Sequence, residues 1–430
     1  MMSTVVLTLA VATRVLTLAD ALHEAHDNQP QLRQARATVD AAQARADESR
    51  APLLPQLTGT ASYQRTTSNF VARPGFLPNN VNSMAASTTT SSFNTFNFWS
   101  FGLTLSQYIW DFGVTTDRWK SNKVTTQAQY AAEHNTELLV ETTVRTAYFN
   151  ARAQKALVEV AHETLANQER HLQQIEGFVK VGTRPEIDLA QARTDRANAA
   201  VQVITAENGY ETAKAQLNQA MGIEGTTEYD VADETMNAVE GEDLSTDQQL
   251  AEAIKARPDL ISLELQIKAQ QYLIKSFKGG YWPTLGASMS LTDAGTDITN
   301  LGWNWNAQIT ASWALFQGLL TWSQVKEQRA NLAILEAQRD LLRQQVRLDV
   351  DVARLAVRAA KAALGASAEA LFNARERLRL AEGRYQAGVG SVIELGDAQV
   401  ALTNAAAQRV QAEYNLATAR AQLLKALGRR

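Results

Sequence analysis

The chain is one structural plan written twice, and the two copies hold register over long stretches. Leu22, Pro30, Pro55, Leu57, Ala61 and Tyr63 recur 228 residues later as Leu250, Pro258, Pro283, Leu285, Met289 and Leu291. From Trp99 onward the shift is 206, so that Trp99, Ser106, Gly182, Leu189, Gln216, Leu217 and Gly222 answer to Trp305, Ser312, Gly388, Leu395, Gln422, Leu423 and Gly428. The shifts differ by 22, which puts that many extra residues between Tyr63 and Trp99 of the first copy. A duplication of this length argues for one composite body of 430 residues rather than unrelated domains. It divides the chain into a first repeat over residues 13–222, a connection over 223–247 and a second repeat over 248–430.

Four short segments alternate with period two. Leu57, Gly59, Ala61 and Tyr63 oppose Gln56, Thr58, Thr60 and Ser62, and Trp99, Phe101, Leu103 and Leu105 oppose Ser100, Gly102, Thr104 and Ser106. In the second copy Leu285, Ala287, Met289 and Leu291 alternate with small or polar residues, as do Trp303, Trp305, Ala307, Ile309, Ala311 and Trp313. The spacing predicts strand pairs at 55–65 with 98–110 and at 283–293 with 302–314. An apolar face backed by an almost uncharged polar face suits tilted strands crossing a bilayer around a wet lumen. Trp99, Trp303, Trp305 and Trp313 then fit an interfacial girdle. The same alternation occurs in a half-buried sheet of a soluble protein, but the remaining helical sequence is too polar to cover such a face. Closing a barrel takes about eight strands or more, because lipid cannot solvate an open edge. One chain supplies four, so a dimer or a trimer is required.

Between the strand pairs the chain is rich in Ala and Gln, with apolar residues seven apart. The series are Val144, Ala151, Val158, Leu165, Leu172, Val179 and, shifted by 206, Val350, Val357, Leu364, Leu371, Leu378, Tyr385. A sustained heptad makes helices coil left-handedly, and Ala permits close approach. Helical hairpins are expected over 113–222 and 319–428, turning at Gly182 and Gly388; the first arm, of about 68 residues, reaches roughly 100 Å. Single helices are expected over Leu18 to Arg50 and Ser245 to Lys278. The connection from Glu224 to Asp247 holds nine acids and no Lys or Arg, and reads as an irregular belt. The Ser/Thr/Asn-rich segment Thr66 to Asn97 reads as a loop at the strand tips, where insertions are tolerated.

A net charge of −4 supplies no basic field for nucleic acid, and the absence of Cys excludes disulfides and thiolate metal sites. The apolar run Val5 to Ala12, ending Ala-Val-Ala, suits a signal peptide over residues 1–12 that lacks its usual basic start; an apolar tail is the alternative. His23 and His26 stand beside Glu24 and Asp27 but lack a third strong ligand, so no metal and no cofactor is expected. No phosphate loop or nucleophile elbow is present, and no enzyme is expected.

The assembled pattern resembles the TolC family of outer-membrane efflux and secretion channels. The paired Leu-x7-Pro starts (Leu22/Pro30, Leu250/Pro258), Pro55 and Pro283, Val181-Gly182-Thr183-Arg184 with Ala387-Gly388-Val389-Gly390, and Ala-x-Ala-Gln-Leu closing both copies carry the resemblance. It implies a mixed α and β membrane protein: a homotrimer with a twelve-stranded barrel in outer-membrane lipid and a long α-helical coiled-coil barrel in the periplasm. It also implies passive conduction, with a periplasmic adaptor protein on the helical tips and an inner-membrane transporter of RND, ABC or MFS type supplying energy. The tip residues Val181, Gly182, Thr183, Ala387, Gly388, Val389 and Gly390 match the adaptor-contact turns. Glu394 and Asp397 match an acidic ring at the periplasmic entrance; they lie three apart, hence on one helix face. Glu394 has a second reading, since Ser391-Val392-Ile393-Glu394 forms a capping box. Asp188 and Tyr385 match a latch that holds the entrance closed. Gly390 stands where that latch has an Arg, leaving Arg184 as a substitute and simple packing as the other role for Tyr385. The competing function is a soluble periplasmic coiled-coil adaptor or scaffold.

Overall fold

In the computed structural model, residues 14–67, 93 and 95–430 are described; the expected signal peptide and most of the strand-tip loop lie outside them. The order is β1 (Arg14–Leu16), α1 (Leu18–Asn28), α2 (Pro30–Arg50), β2 (Gln56–Thr67), β3 (Thr95–Trp110), α3 (Val114–Lys180), α4 (Glu186–Met221) and β4 (Tyr229–Val231). It continues with α5 (Thr246–Ala256), α6 (Pro258–Gly279), β5 (Thr284–Asp297), β6 (Asn300–Ser312), α7 (Leu320–Gln386) and α8 (Val392–Leu427). The copies match in length: α1 and α5 have 11 residues each, α3 and α7 have 67, and α4 and α8 have 36. Contacts gather the chain into two compact units, each drawn from both copies. One holds the residues up to Val39 with Gln129–Leu263 and Gln338–Arg430; the other holds Asp40–Ala128 and Glu264–Ala337.

The two helices expected over 18–50 and 245–278 are each broken in two. Gln29 and Arg257 take extended backbone (ψ 118 and 120) because each precedes a proline that disfavours helical geometry and begins the next helix. The break serves packing. The Gln29 amide donates to the Ala220 carbonyl (2.8 Å), capping the end of α4. A Cβ on Gly222 would sit 2.7 Å from the Gln29 Cα, and one on Gly428 would sit 3.0 Å from the Arg257 Cα. Both glycines also hold positive φ, 75 and 73, at the helix C-termini. Glycine is therefore required twice over where each hairpin returns to its kinked helix.

The acidic connection is less irregular than expected. Its β4 pairs in parallel with β1, Leu16 opposite Val231, and the Tyr148 hydroxyl beneath them donates to the Ala232 carbonyl (3.2 Å). Five of the nine belt acids, Asp230, Asp233, Glu242, Asp243 and Asp247, pair with helix cations. Arg420 grips Glu242 with two bonds (3.0 and 3.1 Å), and Lys361 adds a third contact at 2.6 Å. Burial alone would raise the Glu242 carboxyl, but these cations outweigh it and hold its pKa down at about 2. A lowered carboxylate pKa gives stability that is complete above the ordinary value of 4.5 and disappears as pH falls toward 2. Glu242→Gln should therefore cost about 3 kcal/mol at neutral pH. Thermal unfolding followed by circular dichroism should show the gap from the parent chain narrowing below pH 4; a gap independent of pH would contradict this account.

Apolar cores in the same unit sit beside the belt. One centres on Tyr148, Phe149, Leu217 and Met221, the other on Val346, Val350, Val357, Leu423 and Leu427. The heptad stripe of α7 is buried at Val350, Val357, Leu371, Leu378 and Tyr385. A second α7 stripe, Leu341, Leu348 and Leu355, is exposed in the single chain.

Candidate functional site: the sheet face and the helical tips

The four long strands form one antiparallel sheet in the order β2-β3-β5-β6. Pairing runs past the alternating segments, so the strands cover 56–67, 95–110, 284–297 and 300–312 instead of 55–65, 98–110, 283–293 and 302–314. The ladder continues wherever a partner strand offers hydrogen bonds, whatever the side chains. Register aligns the mostly apolar face in rows: Leu57, Leu105, Met289 and Ala307; Gly59, Leu103, Leu291 and Trp305; Ala61, Phe101 and Trp303, with the charged Asp293 interrupting the last row. Leu57, Leu103, Leu105, Met289, Leu291 and Trp305 are all exposed, so this face has no cover within the described residues. The reverse face carries rows such as Thr58, Thr104, Ser290 and Asn306, with Ser290 bonded to Asn306 at 2.6 Å.

Two of the four expected girdle tryptophans, Trp99 and Trp303, lie toward one end of the sheet, and Trp305 sits near its middle. Trp99 packs on Tyr63 (ring centroids 4.5 Å apart), and Trp303 and Trp305 occupy neighbouring rows. Trp313 lies past the end of β6 rather than in the strand, because the partner β5 begins at Thr284 after Pro283, which has no N–H to extend the ladder; its indole N–H donates to the Tyr281 carbonyl (3.1 Å). It marks the opposite end together with Trp110, Phe112 and Trp282, which sequence reasoning missed; Phe112 and Trp282 stack at 5.5 Å.

In the other unit, both hairpin turns close in the same way. Gly182 and Gly388 have φ of 74 and 78, the left-handed geometry that ends helices. The amides of Thr183 and Val389 return to the carbonyls of Phe178 and Arg384 at 3.0 and 3.1 Å. A Cβ on Gly182 or Gly388 would meet nothing within 4 Å. Around them Val181, Ile187, Val389 and Ile393 are 71–73% exposed, an apolar surface repeated on both tips.

Tyr385 is the centre of the tip. Its ring is 2% exposed and packs against His171 (5.5 Å) and Phe178 (6.3 Å), with the Arg184 guanidinium 4.8 Å over its face. Its hydroxyl is buried with no hydrogen-bond partner among the described residues, so no Tyr385 to Asp188 bond forms. Burial pushes the Tyr385 pKa up, as does the Asp188 charge, while Arg184 pulls it down. Burial likewise pushes the His171 imidazole below its ordinary value, against a weaker pull from Asp195. Arg184 thus reaches Tyr385, the residue expected in the latch, by cation–π contact rather than by an ion pair. Gly390 could not hold an Arg in this arrangement: its Cβ would fall 2.8 Å from the Tyr385 backbone nitrogen.

Only half of the expected capping box forms at Glu394. Ser391 Oγ accepts from the Glu394 amide (3.1 Å), but the Glu394 carboxylate turns to Arg384 (3.5 Å) because that cation lies on the facing helix. Asp397 is exposed and has no ion pair or hydrogen bond among the described residues. It lines a cleft of about 680 Å³ with Asp188, Asp195 and His171.

A sheet with one apolar exposed face, one uncharged polar face and two open edges, continued by 67-residue helices, defines a barrel-forming membrane channel. The chain belongs to the outer membrane efflux protein family, whose model matches residues 21–223 and 250–429. It is 27% identical to Outer membrane protein TolC of Escherichia coli K12 over 442 residues, covering 96% of this chain and 82% of TolC. The outer membrane efflux protein BepC of Brucella suis is 23% identical, covering 96% of this chain and 85% of its own length. Among solved structures, the Campylobacter jejuni CmeC outer membrane channel superposes with a TM-score of 0.81 at 20% identity, over 96% of this chain and 85% of CmeC. The fold class read from sequence stands, with four strands per chain contributing to a twelve-stranded barrel of three copies and a helical barrel beyond it. The protein is an outer-membrane exit duct reaching into the periplasm, which sets aside the soluble adaptor alternative.

Proposed function

We propose that this duct conducts passively and completes a tripartite efflux or type I secretion assembly, receiving a periplasmic adaptor at its helical tips. The adaptor joins it to an inner-membrane transporter of the RND, ABC or MFS type. The observation that carries the reading is the apolar tip surface: Val181, Ile187, Val389 and Ile393 stand open on both hairpins. Exposed apolar clusters of this kind mark protein contacts. The α7 stripe of Leu341, Leu348 and Leu355 is matched to a second copy of the chain, as heptad packing requires. Photocrosslinking from positions 182 and 388 in cells tests the proposal. Capture of a periplasmic adaptor supports it, and absence of any periplasmic adduct refutes it.

Asp397 is the better candidate for the acidic entrance ring, with Glu394 partly neutralised by Arg384. Three copies of an unpaired carboxylate around a pore favour cations. Asp397→Asn should lower cation preference in planar-bilayer reversal potentials, and Glu394→Gln should lower it less. Unchanged selectivity in the Asp397 variant would count against the ring.

A further inference from the structure

The unit that carries the sheet has a second band at the helix-proximal end of its strands. Trp110, Phe112, Trp282, Trp313 and Phe316 are exposed there and continue the apolar face of the sheet. Within about two or three helical turns of the strand ends the apolar band gives way to cations seated on aromatic rings. Arg50 and Lys123 lie 5.7 and 5.8 Å from the Trp119 ring, Lys275 lies 5.1 Å from Tyr272, and Lys326 lies 5.1 Å from Trp322. Arg50, Lys123, Lys275 and Lys326 are exposed, and none has a carboxylate partner among the described residues. From Leu265 to Gly279 the chain has three lysines, Lys268, Lys275 and Lys278, and no acid.

Some of the neighbouring acids have other partners, and two of them, Glu327 and Asp47, accept only from neutral amides among the described residues and keep their charge. Asp111 accepts from the Gly113 and Thr115 amides (3.1 and 2.7 Å), and Asp117 takes Lys120 (3.2 Å). Glu327 accepts from the Gln328 amide (3.3 Å), while Asp47 takes that of Gln43 (3.3 Å). Glu48 is exposed near Arg50 and opposes it in part. A ring-backed ammonium or guanidinium without a carboxylate, just beyond an aromatic band on a lipid-facing surface, presents free donors at headgroup depth.

We propose that this collar binds the phosphodiester headgroups of anionic phospholipids in the leaflet next to the helices. The cations hold phosphate, and Trp119, Tyr272 and Trp322 support the glycerol and upper acyl chain. Charge complementarity and continuity with the membrane-facing sheet select a lipid over a protein occupant. The proposal rests on the sheet being the membrane-spanning element.

The test is native mass spectrometry of the full chain released from nanodiscs of equal phosphatidylglycerol and phosphatidylethanolamine. The expected result is preferential retention of phosphatidylglycerol, falling roughly fivefold for each cation removed in the series Lys275→Gln, Lys326→Gln and Lys123→Gln. Equal retention of the two lipids by the parent chain overturns the proposal without any variant being needed. An undiminished preference in the triple variant overturns it as well. Failure of the parent chain to enter nanodiscs would instead refute the membrane reading of the sheet.

Discussion

Replacing both Gly182 and Gly388 with Trp should abolish export while leaving trimers intact. Each new residue must hold a positive φ, which costs an L-residue about 1–2 kcal/mol, a small fraction of what α3, α4, α7 and α8 contribute through their buried stripes. The new side chains meet no protein atom within 4 Å of the Cβ position, so nothing inside the fold is displaced. What changes is the outside of the turn, where Val181 and Val389 flank each glycine. Two bulky rings per chain, six per trimer, then stand where an adaptor would seat. Dye-efflux assays in cells, set beside native gels of the purified trimer, would check this. Normal efflux from assembled trimers would remove the tips as the adaptor-contact site.

Tyr385→Phe should leave conductance as it is, whereas Tyr385→Ala should raise it. The ring is enclosed by His171, Phe178 and Arg184, but its hydroxyl is buried and unpaired among the described residues. Removing an unsatisfied hydroxyl relieves a penalty of about 1–3 kcal/mol; removing the ring leaves a cavity costing about 3–5 kcal/mol. Arg184→Ala falls between, losing a cation–π contact of about 0.5–2 kcal/mol. Single-channel recordings of the three variants distinguish a latch built on ring packing from one built on the hydroxyl. If Phe opened the channel as far as Ala does, the hydroxyl reading would be right and the packing account wrong.

Much of this architecture was legible because duplication and period-two alternation are both strong signals. Period two assigns each residue to a face, and the rows of Leu57, Leu105, Met289 and Ala307 bear out the faces. It cannot assign neighbours, so the join of the two copies through β3 and β5 emerged only from the structure. The breaks at Pro30 and Pro258 were in plain view, yet apolar spacing continues through them and suggested single helices. β1 and β4, three residues each, are too short for any periodicity. At the tips the glycines announced the turns. The pairings of Arg184 with Tyr385 and of Arg384 with Glu394 did not show, because they depend on the relative rotation of two helices. Gly390 looked like a missing latch residue, whereas the backbone of α7 leaves no room there for a side chain.

The edge strands of the sheet, β2 and β6, have a genetic consequence. Each must be completed by another chain, so every barrel closes through three shared seams and fails if any seam fails. A cell expressing equal amounts of sound chains and chains defective at one edge would assemble only about one barrel in eight entirely from sound chains. Edge mutations in this protein should therefore be dominant, cutting sound barrels to about an eighth even where an intact second gene copy is expressed.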